Sequence, residues 1–104
     1  LNNLTAKAKT DKTARINRNK ILTYLKALAT YGTRIGEPFV KHIDGDIWEL
    51  RPLNNRIFFF YWKDNKFVLL HYFIKKTKKT PPRELEKAKQ NLKNFLERSK
   101  NYEH

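Results

Sequence analysis

The stretch Ile47-Trp48-Glu49-Leu50-Arg51-Pro52-Leu53-Asn54-Asn55-Arg56-Ile57-Phe58-Phe59-Phe60-Tyr61-Trp62 decides the fold, because it reads as two strands joined by a tight turn. Side chains alternate across a strand with period two, so Ile47, Glu49 and Arg51 share one face while Trp48 and Leu50 share the other. A turn through Pro52 to Asn55 then lays Arg56 beside Arg51. Two guanidiniums that close repel each other unless an anion lies between them, and arginine's planar fork suits paired phosphate oxygens. Taken alone, these residues fit either a phosphate-holding sheet or two surface arginines near a turn.

Working outward, Asp64-Asn65 separates the strand from Arg56 to Trp62 from the run Phe67-Val68-Leu69-Leu70-His71-Tyr72-Phe73-Ile74. Both turn residues tolerate positive φ in a hairpin. Upstream, Asp44-Gly45 is a turn signal, and Phe39 to Ile43 fits a short strand or an extended loop. The expected sheet is an antiparallel meander. Near-continuous apolar content in its last two strands predicts burial on both faces, or a concave face lined by aromatics.

Ile21, Tyr24, Leu25, Leu28 and Tyr31 recur at helical spacing, which predicts a helix over about 13–31, ended by Gly32. A second helix is expected after Thr80 as N-cap, with Pro81 in its first turn and Glu84 and Glu86 at its positive end. Leu85, Ala88, Leu92, Phe95 and Ser99 form its narrow stripe. The predicted fold class is therefore α+β, one domain over 1–104, with an antiparallel sheet packed against N-terminal and C-terminal helices. Residues 1–12 are expected to be mobile or the remnant of a truncated element.

The 104 residues suffice for one modest core, and seven Phe, five Tyr and two Trp supply much of the area it buries. Lys and Arg number 23 against 10 Asp and Glu, a formal charge of +13, which points to a polyanionic partner. Nucleic acid is the first candidate, with an acidic protein or a membrane surface as alternatives. The chain has no cysteine, so disulfides and thiolate chemistry are excluded. His42, His71 and His104 are too scattered for a metal site, and no metal or cofactor is expected. No apolar run reaches membrane length, and a soluble, cytoplasmic protein is expected. Methionine is absent even at position 1. Because an initiator methionine is trimmed only ahead of a small residue, Leu1 is not expected to be the native N-terminus.

The meander gathers basic groups at one edge: Arg51 ends one strand, Arg56 starts the next, and Lys75 and Lys76 end the third. Antiparallel pairing makes Arg56 and Lys75 neighbours. His71, Phe73 and Lys75 share a face, with Tyr72 and Lys76 of opposite parity. Such a face can hold RNA through Arg51, Arg56, Lys78 and Lys79, stack a base on Phe73, and stabilise the phosphorane formed when a ribose 2′-OH attacks. Proton transfer falls to Glu49 or His71. The alternatives are that Glu49 is an ion-pair partner orienting Arg51, that His71 is a locally bonded strand histidine, and that Lys75 to Lys79 is a solvated loop.

The segments Ile47 to Arg51, Arg56 to Phe59 and, above all, His71-Tyr72-Phe73-Ile74-Lys75-Lys76-Thr77-Lys78-Lys79-Thr80-Pro81 resemble the HigB-like toxins of the RelE/ParE superfamily, in the phage-derived Gp49-like branch. The resemblance runs from about Ile21 to Leu96. It implies the toxin of a type II toxin–antitoxin system, a metal-independent, ribosome-dependent mRNA endonuclease that inhibits translation. It also implies a catalytic set of Arg56 on its strand and Lys75 or Lys76 after the last strand, with His71 and Glu49 beside them. The implied partners are ribosome, mRNA and a helix-turn-helix, HigA-like antitoxin, in a toxin–antitoxin heterotetramer. Relatives open with a strand and short helix ahead of the helix seen here, so the sheet is expected to lack the family's first strand. The family's C-terminal catalytic tyrosine has no match, since Tyr102 lies too far along the chain. A non-catalytic nucleic-acid or acidic-partner binding module, or a ParE-like gyrase poison, are the competing readings.

If several lysines and arginines displace counterions from RNA, affinity falls steeply with salt. A filter-binding titration should give a log-log slope of roughly 0.7 per phosphate neutralised on a single strand. A flat response would instead mark an apolar partner surface.

Overall fold

The computed structural model describes residues 2–102, with side chains over 11–100. Helix α1 spans Asn2–Tyr31 and leads through a 3-10 turn, Gly32–Ile35, into strands β1 (Val40–Asp44), β2 (Ile47–Leu50), β3 (Asn55–Tyr61) and β4 (Phe67–Ile74), followed by helix α2 (Pro82–Tyr102). The strands form one antiparallel sheet in the order β1-β2-β3-β4. This is the α+β meander expected from the sequence.

Alternation along β3 assigns its residues to two separate cores. Ile57 and Phe59 pack with Val40, Leu50 and, from α1, Leu28, with Ile21, Tyr24 and Leu25 alongside. Phe58 and Phe60 pack with Ile47, Leu70, Phe73 and, from α2, Ala88, with Leu85, Leu92 and Phe95 alongside. One helix therefore packs on each face of the sheet. The near-continuous apolar run of β3 reflects burial on both sides, whereas β4 is buried mainly on the α2 face and leaves Leu69, Tyr72 and Ile74 half exposed on the other.

Element boundaries differ from the sequence reading in two places. Helix α1 begins at Asn2 rather than near Thr13, because the apolar stripe marks only its buried part and no glycine or proline interrupts 2–31. Helix α2 begins at Pro82, one residue later than expected, and the Pro81 carbonyl accepts the Glu84 N–H at 3.0 Å. The segment left open between strand and loop is strand β1 from Val40 onward.

Turn chemistry sets the register. Leu53, Asp64 and Asn65 have positive φ of 58°, 55° and 60°, so the β2-β3 and β3-β4 connections both turn through the left-handed region. A bulge between Phe58 and Phe59 on the β3-β4 ladder shifts β4 by one residue, so Leu70 joins the α2 core. The Asn91 side chain of α2 donates to the Leu70 carbonyl at 2.7 Å, and Lys89 pairs with Asp44 at 2.9 Å. No helix among the described residues is long and apolar enough to cross a membrane.

Phe58 is fully buried at the centre of the sheet against Phe73, ring centroids 5.4 Å apart. Phe58→Ala should lower unfolding free energy by about 3–5 kcal/mol in a urea titration. A loss below 1 kcal/mol would show that the α2 face is not a packed core.

Candidate functional site

Glu49 lies on β2 directly opposite Phe58 of β3, and Phe58 lies opposite His71 of β4. The next row toward the β2-β3 turn pairs Arg56 with Phe73. These residues share the α2 face of the sheet, at the end that the turn closes. Two strand spacings separate the Glu49 and His71 backbones, about 10 Å. The fully buried Phe58 side chain lies between them.

The anion between the two arginines is the protein's own. Glu49 is only 2% exposed, and its Oε1 lies 3.4 Å from Arg51 Nε and 3.9 Å from Arg56 Nε. These are charge contacts without hydrogen-bond alignment: Glu49 Oε2 and both Nε atoms are buried with no hydrogen-bond partner. Arg56 instead spends Nη1 on the carbonyls of Leu53 and Asn55, each at 2.8 Å, which fixes the guanidinium to the turn. Burial holds the Arg56 guanidinium below arginine's ordinary value, with Glu49 pulling it back up and Arg51 pushing it further down. Arg51 is placed by its backbone N–H, which donates to the Phe39 carbonyl at 3.0 Å.

On β4, the His71 ring stacks on Phe73 at 5.9 Å and 21°, and its Nε2 stands 3.3 Å from Glu84 Oε2 in the first turn of α2. Both side chains are 17% exposed. A histidine held against a carboxylate is oriented by it. Glu84 was read from sequence only as a helix-start residue. Its second part was hidden because 13 residues and a loop separate it from His71.

The turn is also pinned from the α1 side. Asn55, 4% exposed, donates to the Pro52 carbonyl at 3.0 Å and to Asn17 Oδ1 of α1 at 3.4 Å, and accepts from the Tyr72 hydroxyl at 2.7 Å. Nothing in the sequence singles out this chain, since its members are 38 and 17 residues apart. The Lys75 N–H donates to the Asn54 carbonyl at 2.8 Å, so the start of the basic loop abuts the turn that carries Arg56. Lys76, Lys78 and Lys79 stand exposed in that loop, and no described bond ties them to the arginines. The structure thus brings Glu49, Arg51, Arg56, Phe73 and His71 to one end of one face, with Lys75 at its border and the other three lysines beyond it.

Residues 8–93 match the family described as "Phage derived protein Gp49-like (DUF891)". No curated protein matches the chain significantly.

Because breaking a buried charge cluster leaves charges uncompensated, Glu49→Gln should destabilise the fold by about 3 kcal/mol. Adding Arg51→Gln to that variant should recover part of the loss, since one unbalanced guanidinium is removed. Thermal and urea unfolding of both variants checks this, and additive losses would break the assignment of Glu49 as the shared counter-charge.

Proposed function

The chain belongs to the Gp49-like phage-derived family, part of the RelE/ParE toxin-like superfamily whose Gp49-like members are commonly toxins of toxin–antitoxin systems, and we propose that it is a HigB-type toxin that cleaves mRNA on the ribosome. The observation that carries this reading is the row Glu49-Phe58-His71 flanked by Arg51 and Arg56. It sets the fixed positive charge of Arg51 and Arg56 and the His71 ring on one face at one end of the sheet, on either side of the buried Phe58.

In the proposed reaction the ribose 2′-oxygen attacks the adjacent phosphorus and the 5′-oxygen of the next nucleotide leaves, giving a 2′,3′-cyclic phosphate and a free 5′-hydroxyl. The 2′-hydroxyl gives its proton to solvent and the leaving 5′-oxygen takes one from His71, so the protons balance. Arg51 and Arg56 stabilise the negative charge that grows on the phosphorane oxygens. Arg56 carries most of this, because its two carbonyl bonds fix it before substrate arrives and leave the rest of its fork free to reach phosphate.

His71 gives the proton to the leaving oxygen, with Glu84 holding the ring and Phe73 backing it. Glu49 is a positioning residue. At 2% exposure it is too enclosed to meet a 2′-hydroxyl, while its single charge keeps two guanidiniums together before RNA binds. Lys75, at the border of the turn, adds positive charge along the RNA backbone, and Lys76, Lys78 and Lys79 extend that track. The acidic partner of such a surface is the helix-turn-helix antitoxin of the operon.

His71→Gln keeps a hydrogen bond but cannot pass a proton, so ribosome binding should stay within about twofold while single-turnover mRNA cleavage slows by roughly 10²–10⁴-fold. Arg56→Ala should weaken both. Primer extension on transcripts from induced cells reads the wild-type outcome: discrete, codon-phased cuts. Intact transcripts would instead support a non-catalytic binding module, and DNA damage with intact transcripts a gyrase poison.

A further inference from the structure

The two edges of the sheet are built differently. Strand β1 is five residues long, carries Lys41 and Asp44, and is kinked by a register shift between His42 and Asp44. Charges, shortness and bulges are the usual protection of an edge against pairing with another chain. Strand β4 is eight residues long and contains no Asp, Glu, Lys, Arg or Pro. Its protection is limited to the bulge at Leu70, whose carbonyl is taken by Asn91.

Beyond that bulge the outer edge is open among the described residues. The Lys75 N–H bonds inward to Asn54, and antiparallel ladders alternate, so the N–H and C=O of Ile74 and Tyr72 point away from β3. At the other end the Trp62 N–H bonds to the Lys66 carbonyl, which by the same alternation turns the backbone groups of Leu69 outward. The side chains of these three residues lie on the α1 face yet remain 51% (Leu69), 50% (Tyr72) and 54% (Ile74) exposed, because α1 is centred over β1 to β3. Tyr24 of α1 packs on Phe39, just before β1, so the opposite flank of the helix, carrying Arg18, Leu22 and Lys26 in line, faces the β4 side. Leu22 is itself 46% exposed. An apolar strip with outward backbone groups is thus rimmed by Arg18 and Lys26 along one side and by Lys75 and Lys76 at its end.

We infer that the outer edge of β4 is a docking site for an extended, acidic segment of a partner protein, which pairs with Leu69, Tyr72 and Ile74 as a fifth strand. The open ladder requires an extended occupant, the half-exposed side chains take its alternate apolar residues, and the basic rim takes its carboxylates. A second copy of this chain is disfavoured as occupant, since each brings a formal charge of +13 to the contact. The site lies on the opposite face from Glu49 and Arg56 and does not depend on the reaction proposed for them.

The test uses the purified full chain and a capped synthetic peptide of alternating valine and glutamate at neutral pH. Amide hydrogen exchange should slow at Tyr72 and Ile74 when peptide is added, and stay unchanged in β1. Ile74→Pro removes an outward N–H without touching the ladder to β3, a position where an edge strand accepts proline. Leu69→Glu keeps every amide and adds a like charge. Each should weaken peptide binding at least tenfold while circular dichroism stays native. The inference is overturned if those amides gain no protection, if both variants bind as tightly as the parent, or if a peptide with alternate amides N-methylated binds equally well. It is also overturned if sedimentation shows a dimer of the chain that Leu69→Glu dissolves, which would make a second copy the occupant.

Discussion

Strand β3 lies between two strands and between two helices, and its central residues Phe58 and Phe59 are wholly removed from water. Any polar group brought next to that strand has to be satisfied by the protein itself, because solvent cannot do it. Glu49 is such a group, directly opposite Phe58. An isolated carboxylate there would be far too costly to keep ionised, and the turn after β2 solves this by returning the chain with Arg51 on one side and Arg56 on the other. The basic end of the sheet is therefore a consequence of burying β3. Its positive charge is concentrated where the core stops.

That end is held from both faces by different means. On the α1 side, Asn55 ties the turn to Asn17 and Tyr72 through neutral hydrogen bonds. On the α2 side, His71 is tied to Glu84 at the helix start. The turn carrying Arg56 is also clasped by its own carbonyls at Leu53 and Asn55, and by the Lys75 N–H on Asn54. A side chain fixed by several independent contacts loses little further freedom when a ligand binds, which is the condition for preorganised charge stabilisation.

The internal carboxylate also bears on how a strongly cationic domain remains folded. Two guanidiniums converging without a counter-ion would repel, and the repulsion would be strongest when no polyanion is bound. Glu49 balances one of the two charges, so the site stays assembled and retains a net positive charge for phosphate. The orphaned Glu49 Oε2 and the two Nε atoms mark the residual cost of this compromise. That cost sits where the chemistry is proposed, as is common for strained or unsatisfied groups.

Much of this was legible in the chain itself. Turn residues at Asp44-Gly45, at Pro52 to Asn55 and at Asp64-Asn65 determine a meander, and period two along Ile47 to Arg51 and His71 to Lys75 determines which side chains share a face. Those are local properties, set by backbone sterics and pleat, so one sequence suffices to read them. The convergence of Arg51 and Arg56 follows from the same local rules. What filled the space between them does not: Glu49 was readable as a candidate on the right face, but its burial is a product of tertiary packing. The extension of α1 to Asn2 carries no apolar stripe to announce it. Glu84 against His71, Asn17 against Asn55, and the open edge of β4 were likewise decided only by tertiary structure, because each is a distance between segments that no spacing in the sequence encodes.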